Sequence, residues 1–107
     1  MTLNEYQEKA MTTCMPSCNN FTYMMLNLVG EVGEFAGKVA KSIRKGKKEA
    51  TTEEMIELKK EAGDVLWQLA GLCKVMGWTL EDVAQDNLDK LASRKKRGVI
   101  DGNGDNR

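Results

Sequence analysis

Glu31 with Glu34, and Glu61 with Asp64, are carboxylates three residues apart, each pair lying in an otherwise apolar stretch of a chain that reads as helix throughout. A helix turns about 100° per residue, so the members of such a pair leave one face, one turn above the other. Two helices of this kind, joined by a connection that reverses the chain, can aim four carboxylates at a single point. Like charges brought that close repel unless a divalent cation sits between them. Hard cations such as Mg²⁺ take oxygen ligands, and phosphates are their usual substrates. Metal-assisted chemistry on a phosphorylated substrate is the expectation.

The elements that would have to position these groups are legible from caps and breakers. A first helix is predicted from Thr2, which forms a capping box with Glu5, to about Thr13. The segment from Cys14 to Asn20, with Pro16 and two asparagines, breaks it. A second helix is predicted from about Phe21 to Arg44, with Gly46 and the lysines around it as the turn. Thr51 and Glu54 make another capping box, opening a third helix to Met76. Gly77 stops that helix, and Thr79 with Asp82 starts a fourth, which runs to about Arg97. Its basic last turn suits the negative end of the helix dipole. Residues 98–107 have no helical periodicity and read as a mobile tail. The predicted fold is all-α: a four-helix antiparallel bundle forming a single domain over residues 1–107.

On the second helix Met25, Leu28, Val32, Phe35 and Val39 share a predicted core arc, with Glu31 and Glu34 at its edge. On the third, Leu58, Ala62, Val65, Leu66, Leu69, Cys73 and Met76 form the arc, flanked by Glu61 and Asp64. Both acidic pairs therefore border the buried side. Gly33 and Gly63 lie inside the pairs, although a helix-interior glycine costs about 1 kcal/mol relative to alanine. Close approach of a neighbouring helix or of a ligand would offset that cost. With 30% charged residues, the spacing also arises by chance. Glu5 with Glu8, and Glu54 with Glu57, repeat it and are expected to face solvent. The conjunction of two bordering pairs on long helices favours a divalent-cation site.

Composition narrows the remaining options. The 107 residues carry 16 Lys plus Arg against 16 Asp plus Glu, which favours neither a stable nucleic-acid complex nor a membrane surface. No apolar run approaches the ~20 residues that cross a bilayer. The N-terminal residues lack a signal-peptide core, so a cytoplasmic protein is expected. A chain this short often gains by pairing with a copy of itself. Cys14, Cys18 and Cys73 are an odd set without histidine. Free thiols are expected, rather than a zinc site or a disulfide framework.

The stretch Gly30-Glu31-Val32-Gly33-Glu34-Phe35-Ala36-Gly37-Lys38, followed by Lys60-Glu61-Ala62-Gly63-Asp64-Val65-Leu66-Trp67, resembles the MazG-type nucleotide pyrophosphohydrolases of the all-α NTP pyrophosphatase superfamily. That family's signature is Glu-x-x-Glu, a linker, then Glu-x-x-Asp. The similarity continues through Asp86-Asn87-Leu88-Asp89-Lys90-Leu91, Arg94 and Gly104-Asp105-Asn106-Arg107, and covers nearly everything from Asn20 onward. It implies Mg²⁺-dependent hydrolysis of a nucleoside triphosphate to the monophosphate and pyrophosphate, with Mn²⁺ able to substitute. It maps metal ligation onto Glu31, Glu34, Glu61 and Asp64, and substrate contacts onto Asn87, Lys90 and Arg94. It also implies a homodimer or homotetramer with sites near subunit interfaces. One departure is length: the chain holds one copy of the domain, where longer MazG proteins hold two.

The residue types suit that chemistry. A triphosphate cannot approach bare carboxylates, and a divalent ion bridges the two. Glu34 is the favoured general base for the attacking water, with Glu61 the second candidate catalytic carboxylate. Lys38, one turn beyond Glu34, joins Lys90 and Arg94 as a candidate phosphate contact. Trp67, Phe21, Tyr23 or Trp78 could stack on a base, and Asn19, Asn20 or Asn27 could bond its edge. Two other readings remain open at this point. One is a phosphoribosyl-ATP pyrophosphohydrolase. The other is a non-catalytic helical oligomer or regulatory partner, whose acidic columns only form ion pairs.

Overall fold

The computed structural model describes residues 1–46 and 49–107; the turn lysines at 47 and 48 lie outside the described residues. Among the described residues four α-helices follow one another: α1 (Leu3–Met11), α2 (Phe21–Arg44), α3 (Thr52–Val75) and α4 (Leu80–Arg97), with a 3₁₀ turn at Pro16–Cys18 between α1 and α2. Among the described residues there is no strand. The all-α class expected from the sequence is the class observed.

Local chemistry sets the boundaries. Thr2 Oγ1 accepts from the Glu5 amide at 3.0 Å while Glu5 Oε1 accepts from the Thr2 amide at 3.1 Å, and Thr51 and Glu54 exchange the same pair of bonds. Asn20 Oδ1 caps the Tyr23 amide at 2.8 Å, and Thr79 Oγ1 caps that of Asp82 at 3.1 Å. Each satisfies an amide that has no partner within its own helix. At the other ends, Gly77 (φ 77°) and Gly98 (φ 71°) take the left-handed conformation that closes α3 and α4.

α2 and α3 form the long hairpin that carries both acidic pairs. Met24 lies against Gly71 near its open end, and Lys38 lies against Glu57 and Glu61 towards its turn. A Cβ at Gly71 would overlap the Met24 thioether, so this glycine lets the two helices close. Gly33 and Gly63 differ: a Cβ at either would meet nothing within 4 Å. Helix packing within the chain is therefore not what those two glycines serve.

α1 lies across the far half of α3. There Met11, Ala70, Cys73 and Leu80 make the buried cluster, backed by Tyr6, Ala10, Cys14, Trp67 and Val83. The buried Gln7 binds three backbone groups at once. Its Nε2 donates to the carbonyls of Ala70 (3.2 Å) and Trp78 (3.1 Å), and its Oε1 accepts from the Leu80 amide (3.1 Å). Asn4 adds a second clamp, accepting from the Glu81 amide at 3.1 Å and donating to its carboxylate at 3.3 Å. Side chains of α1 thus cap the first turn of α4.

The predicted core arcs need correction. On α2 the buried residue is Met24, while Val32 and Val39 are exposed; on α3 Cys73 is buried, but Leu66 and Leu69 are exposed, as is Met76 just past its end. The reason is coverage: α1 reaches only part of α3, and α4 packs mainly on α1, so much of the hairpin's apolar face has no partner within one chain. The radius of gyration of 16.8 Å agrees, since a compact chain of this length would have about 13 Å. Cys14 and Cys18 also depart from expectation. They are joined as a disulfide across the 3₁₀ turn, with Cα atoms 6.0 Å apart, a separation that permits a bridge. Cys73 is a free thiol, and its burial pushes its pKa up.

Candidate metal centre

Glu31 and Glu34 from α2 and Glu61 from α3 each bring a carboxylate oxygen into one group, all within 4.8 Å of one another. Helix spacing puts the first two on one face, and the hairpin delivers the third from opposite. Depth differs among them: Glu34 is exposed, Glu31 is half-buried, and Glu61 is only 8% exposed. Oε1 of Glu61 accepts a hydrogen bond from Lys38 Nζ at 2.7 Å. Oε2 of Glu61 and Oε2 of Glu31 are buried with no hydrogen-bond partner among the described residues. Leaving a buried acceptor unpaired costs about 1–3 kcal/mol, more when it is charged. A cation at the focus of the three carboxylates would satisfy both orphaned oxygens, so the donor set fits a hard divalent ion.

Asp64 stands outside that close group, on the exposed side of α3. Its charge is nevertheless felt there. The pKa of Glu31 is raised by burial first, and then by the negative charges of Glu34, Asp64 and Glu61. Asp64 also adds to the effect of burial in raising the pKa of Tyr6, a residue of α1 with no distinguishing motif around it. Lys38 is the basic residue brought to the site. Its ammonium reaches Glu57 Oε2 at 3.8 Å as well as Glu61, and the hydrogen bond to Glu61 is the main cause of its raised pKa. Lys60 holds Glu57 from the other side at 3.1 Å, and that bond is the main cause of a lowered pKa at Glu57.

The α4 residues are placed elsewhere. Asn87 and Lys90 line a recess of about 500 Å³ together with Trp78, Asp82 and Asp86, and none of the clustered carboxylates lines it. Arg94 is buried, with its side chain 6% exposed. It donates to the Asp105 carboxylate at 3.1 Å and to the Asp105 carbonyl at 3.0 Å. Lys90 joins the same carboxylate at 3.2 Å. The segment after Gly98 is thereby tied to α4, and Arg107 closes it by donating to the carbonyls of Val99, Ile100 and Gly104. Among the aromatics, Trp67 is committed to packing: its indole N–H donates to Ala10 O at 3.0 Å and Thr13 Oγ1 at 2.9 Å. Phe21, Tyr23 and Trp78 are exposed.

The tie through Asp105 has a testable pH dependence. Arg94 first, and then Lys90, hold the carboxyl below its ordinary value of 3.8. A depressed folded-state pKa gives a contribution that is complete above the ordinary value and is lost as pH falls through the lower one. Backbone ¹⁵N relaxation should therefore show residues 98–107 loosening on acidification below about 3.8. Asp105→Asn should show a looser segment at neutral pH and no step on acidification.

The family model described as the MazG nucleotide pyrophosphohydrolase domain matches residues 19–99. The Gene 37 protein of Mycobacterium phage L5 is 46% identical over 91 residues, covering 85% of this chain and 80% of the phage protein. No solved structure matches. No helix among the described residues is long and apolar enough to cross a membrane.

Proposed function

The chain belongs to the MazG nucleotide pyrophosphohydrolase domain family, and from that premise we propose that it hydrolyses a nucleoside triphosphate between the α and β phosphates with the help of Mg²⁺. The observation that carries this reading is the meeting of Glu31, Glu34 and Glu61, with two carboxylate oxygens buried and unpartnered. Glu31, Glu34 and Glu61 would hold the ion, with Asp64 beside them. When bound, Mg²⁺ neutralises charge on the phosphates and makes water a better nucleophile. Glu34, the exposed member of the group, would accept the proton of the attacking water. Lys38 supplies a positive charge for a phosphate oxygen.

Asn87 and Lys90 are proposed as further substrate contacts. Since they line a separate recess in one chain, a second copy is the natural way to bring them to the carboxylates. Exposed Leu26, Val29, Met55, Ile56 and Leu88 supply an apolar surface for a homodimer or homotetramer. The decisive assay incubates the purified protein with Mg²⁺ and a panel of NTPs, dNTPs and phosphoribosyl-ATP. Equimolar monophosphate and pyrophosphate are expected. Orthophosphate in place of pyrophosphate would move the cleaved bond and reject the mechanism.

A further inference from the structure

Lys38 lies where a cation belongs. Its ammonium sits 2.7 Å from Oε1 of Glu61, whose other oxygen has no hydrogen-bond partner among the described residues, and 3.8 Å from Oε2 of Glu57. The Lys38 side chain is 42% exposed, so its long stem can swing into solvent without moving α2. Glu61, at 8% exposed, has far less room to move. A divalent ion bound through Glu61 would stand within a few ångströms of the ammonium, where repulsion between the two positive charges is strong. Metal and ammonium thus compete for one carboxylate.

We propose that Lys38 is a resident counter-cation, displaced from Glu61 by the incoming divalent ion and then taken up by a phosphate oxygen of the substrate. This rests on the carboxylate group being the metal site proposed above. The ammonium keeps its proton throughout and exchanges one anionic partner for another. Two consequences follow. Lys38 weakens binding of the metal alone, because the ion must first evict it. It strengthens binding of the metal with triphosphate, because the evicted ammonium then has a phosphate to hold. Affinity for each ligand therefore rises in the presence of the other.

The test is Mn²⁺ binding followed by the electron paramagnetic resonance signal of the free ion, on the unaltered protein, Lys38→Met and Lys38→Arg. Lys38→Met keeps the length of the side chain without its charge. It should bind Mn²⁺ alone about tenfold more tightly, as expected from losing one charged hydrogen bond that competes with the ion. Its KM for the magnesium triphosphate should rise by a similar factor. Lys38→Arg, which retains the charge, should bind Mn²⁺ like the unaltered protein. A residue needed only to hold the helices together would weaken metal binding when lost, so the two roles move the reading in opposite directions. Equal or weaker Mn²⁺ binding by Lys38→Met, with Mn²⁺ bound by the unaltered protein, overturns the proposal alone. Absence of Mn²⁺ binding in all three proteins overturns both the proposal and the metal-site reading beneath it. Independently of any substitution, the ¹³Cε resonance of Lys38 should move towards those of freely mobile lysines on adding Mg²⁺; an unmoved resonance at saturating Mg²⁺ counts against displacement.

Discussion

Exchanging Glu61 for glutamine is expected to slow pyrophosphate release by about a thousandfold, equivalent to ~4 kcal/mol of lost transition-state stabilisation. Glu61 is the most buried of the three clustered carboxylates, and one of its oxygens has no hydrogen-bond partner among the described residues. An amide has nearly the same shape but offers half its polar surface as a donor, which a cation cannot use. The fold should survive the change. Glu61 leaves a group of like charges that raise the pKa of Glu31, and the abandoned Lys38 is solvated enough to find water. Exposed Glu57, which belongs to a same-spaced pair, serves as the control, and Glu57→Gln should stay within a few-fold of the unaltered rate. Initial rates of pyrophosphate release, with circular dichroism to confirm helicity, make the comparison. Activity in Glu61→Gln within tenfold of the unaltered protein would remove this carboxylate from the chemistry.

The second large effect is on stability. Gln7→Ala should lower the melting temperature by about 12–24 °C, since each kcal/mol lost shifts a domain near this size by roughly 4–8 °C. The alanine loses three hydrogen bonds, those to Ala70, Trp78 and Leu80, together worth about 3 kcal/mol. The Leu80 amide matters most: it lies in the first turn of α4, where no carbonyl of the helix can accept from it. Gln7→Glu separates the contributions, because a carboxylate can still accept from Leu80 but cannot donate to the two carbonyls. Its loss should be of the same order. Calorimetry at matched protein concentration measures both, and a shift under 3 °C for Gln7→Ala would show that water replaces these bonds at little cost. Since Gln7 binds no part of the carboxylate group, kcat per folded molecule should change little, and any loss of activity should fall on KM.

These effects mark where the sequence was readable. Helix limits depend on contacts spanning three or four residues, and Thr2, Thr51, Thr79 and Gly77 announce them within their own neighbourhood. The start of α2 at Phe21 and its end at Arg44 fall where the pattern places them. Burial is another matter. Periodicity identifies an apolar arc, but not the surface that covers it, so Val32 and Leu66 look like core residues and are exposed in the single chain. Gln7 was missed because its partners lie 63 to 73 residues away. One trace was present: it is a polar residue between Leu3 and Met11, on the same stripe of α1. For the candidate site, spacing places Glu31 and Glu34 on one face, and only the hairpin shows that Glu61 meets them. Lys38 illustrates the limit well. In the sequence it pairs naturally with Glu34 on its own helix, yet its hydrogen bond crosses to Glu61 on α3.

The clamp formed by Asn4 and Gln7 makes the shortest helix a bracket for two others. α4 meets the rest of the chain chiefly through that bracket, so its orientation is set by a nine-residue element near the chain's start. Anything that pries the element loose, such as a bulky fusion ahead of it, would turn α4 into a swinging arm hinged at Gly77. Asn87 and Lys90 ride on that arm. A lesion in the first dozen residues would then be felt as poor substrate capture, with the carboxylates themselves untouched.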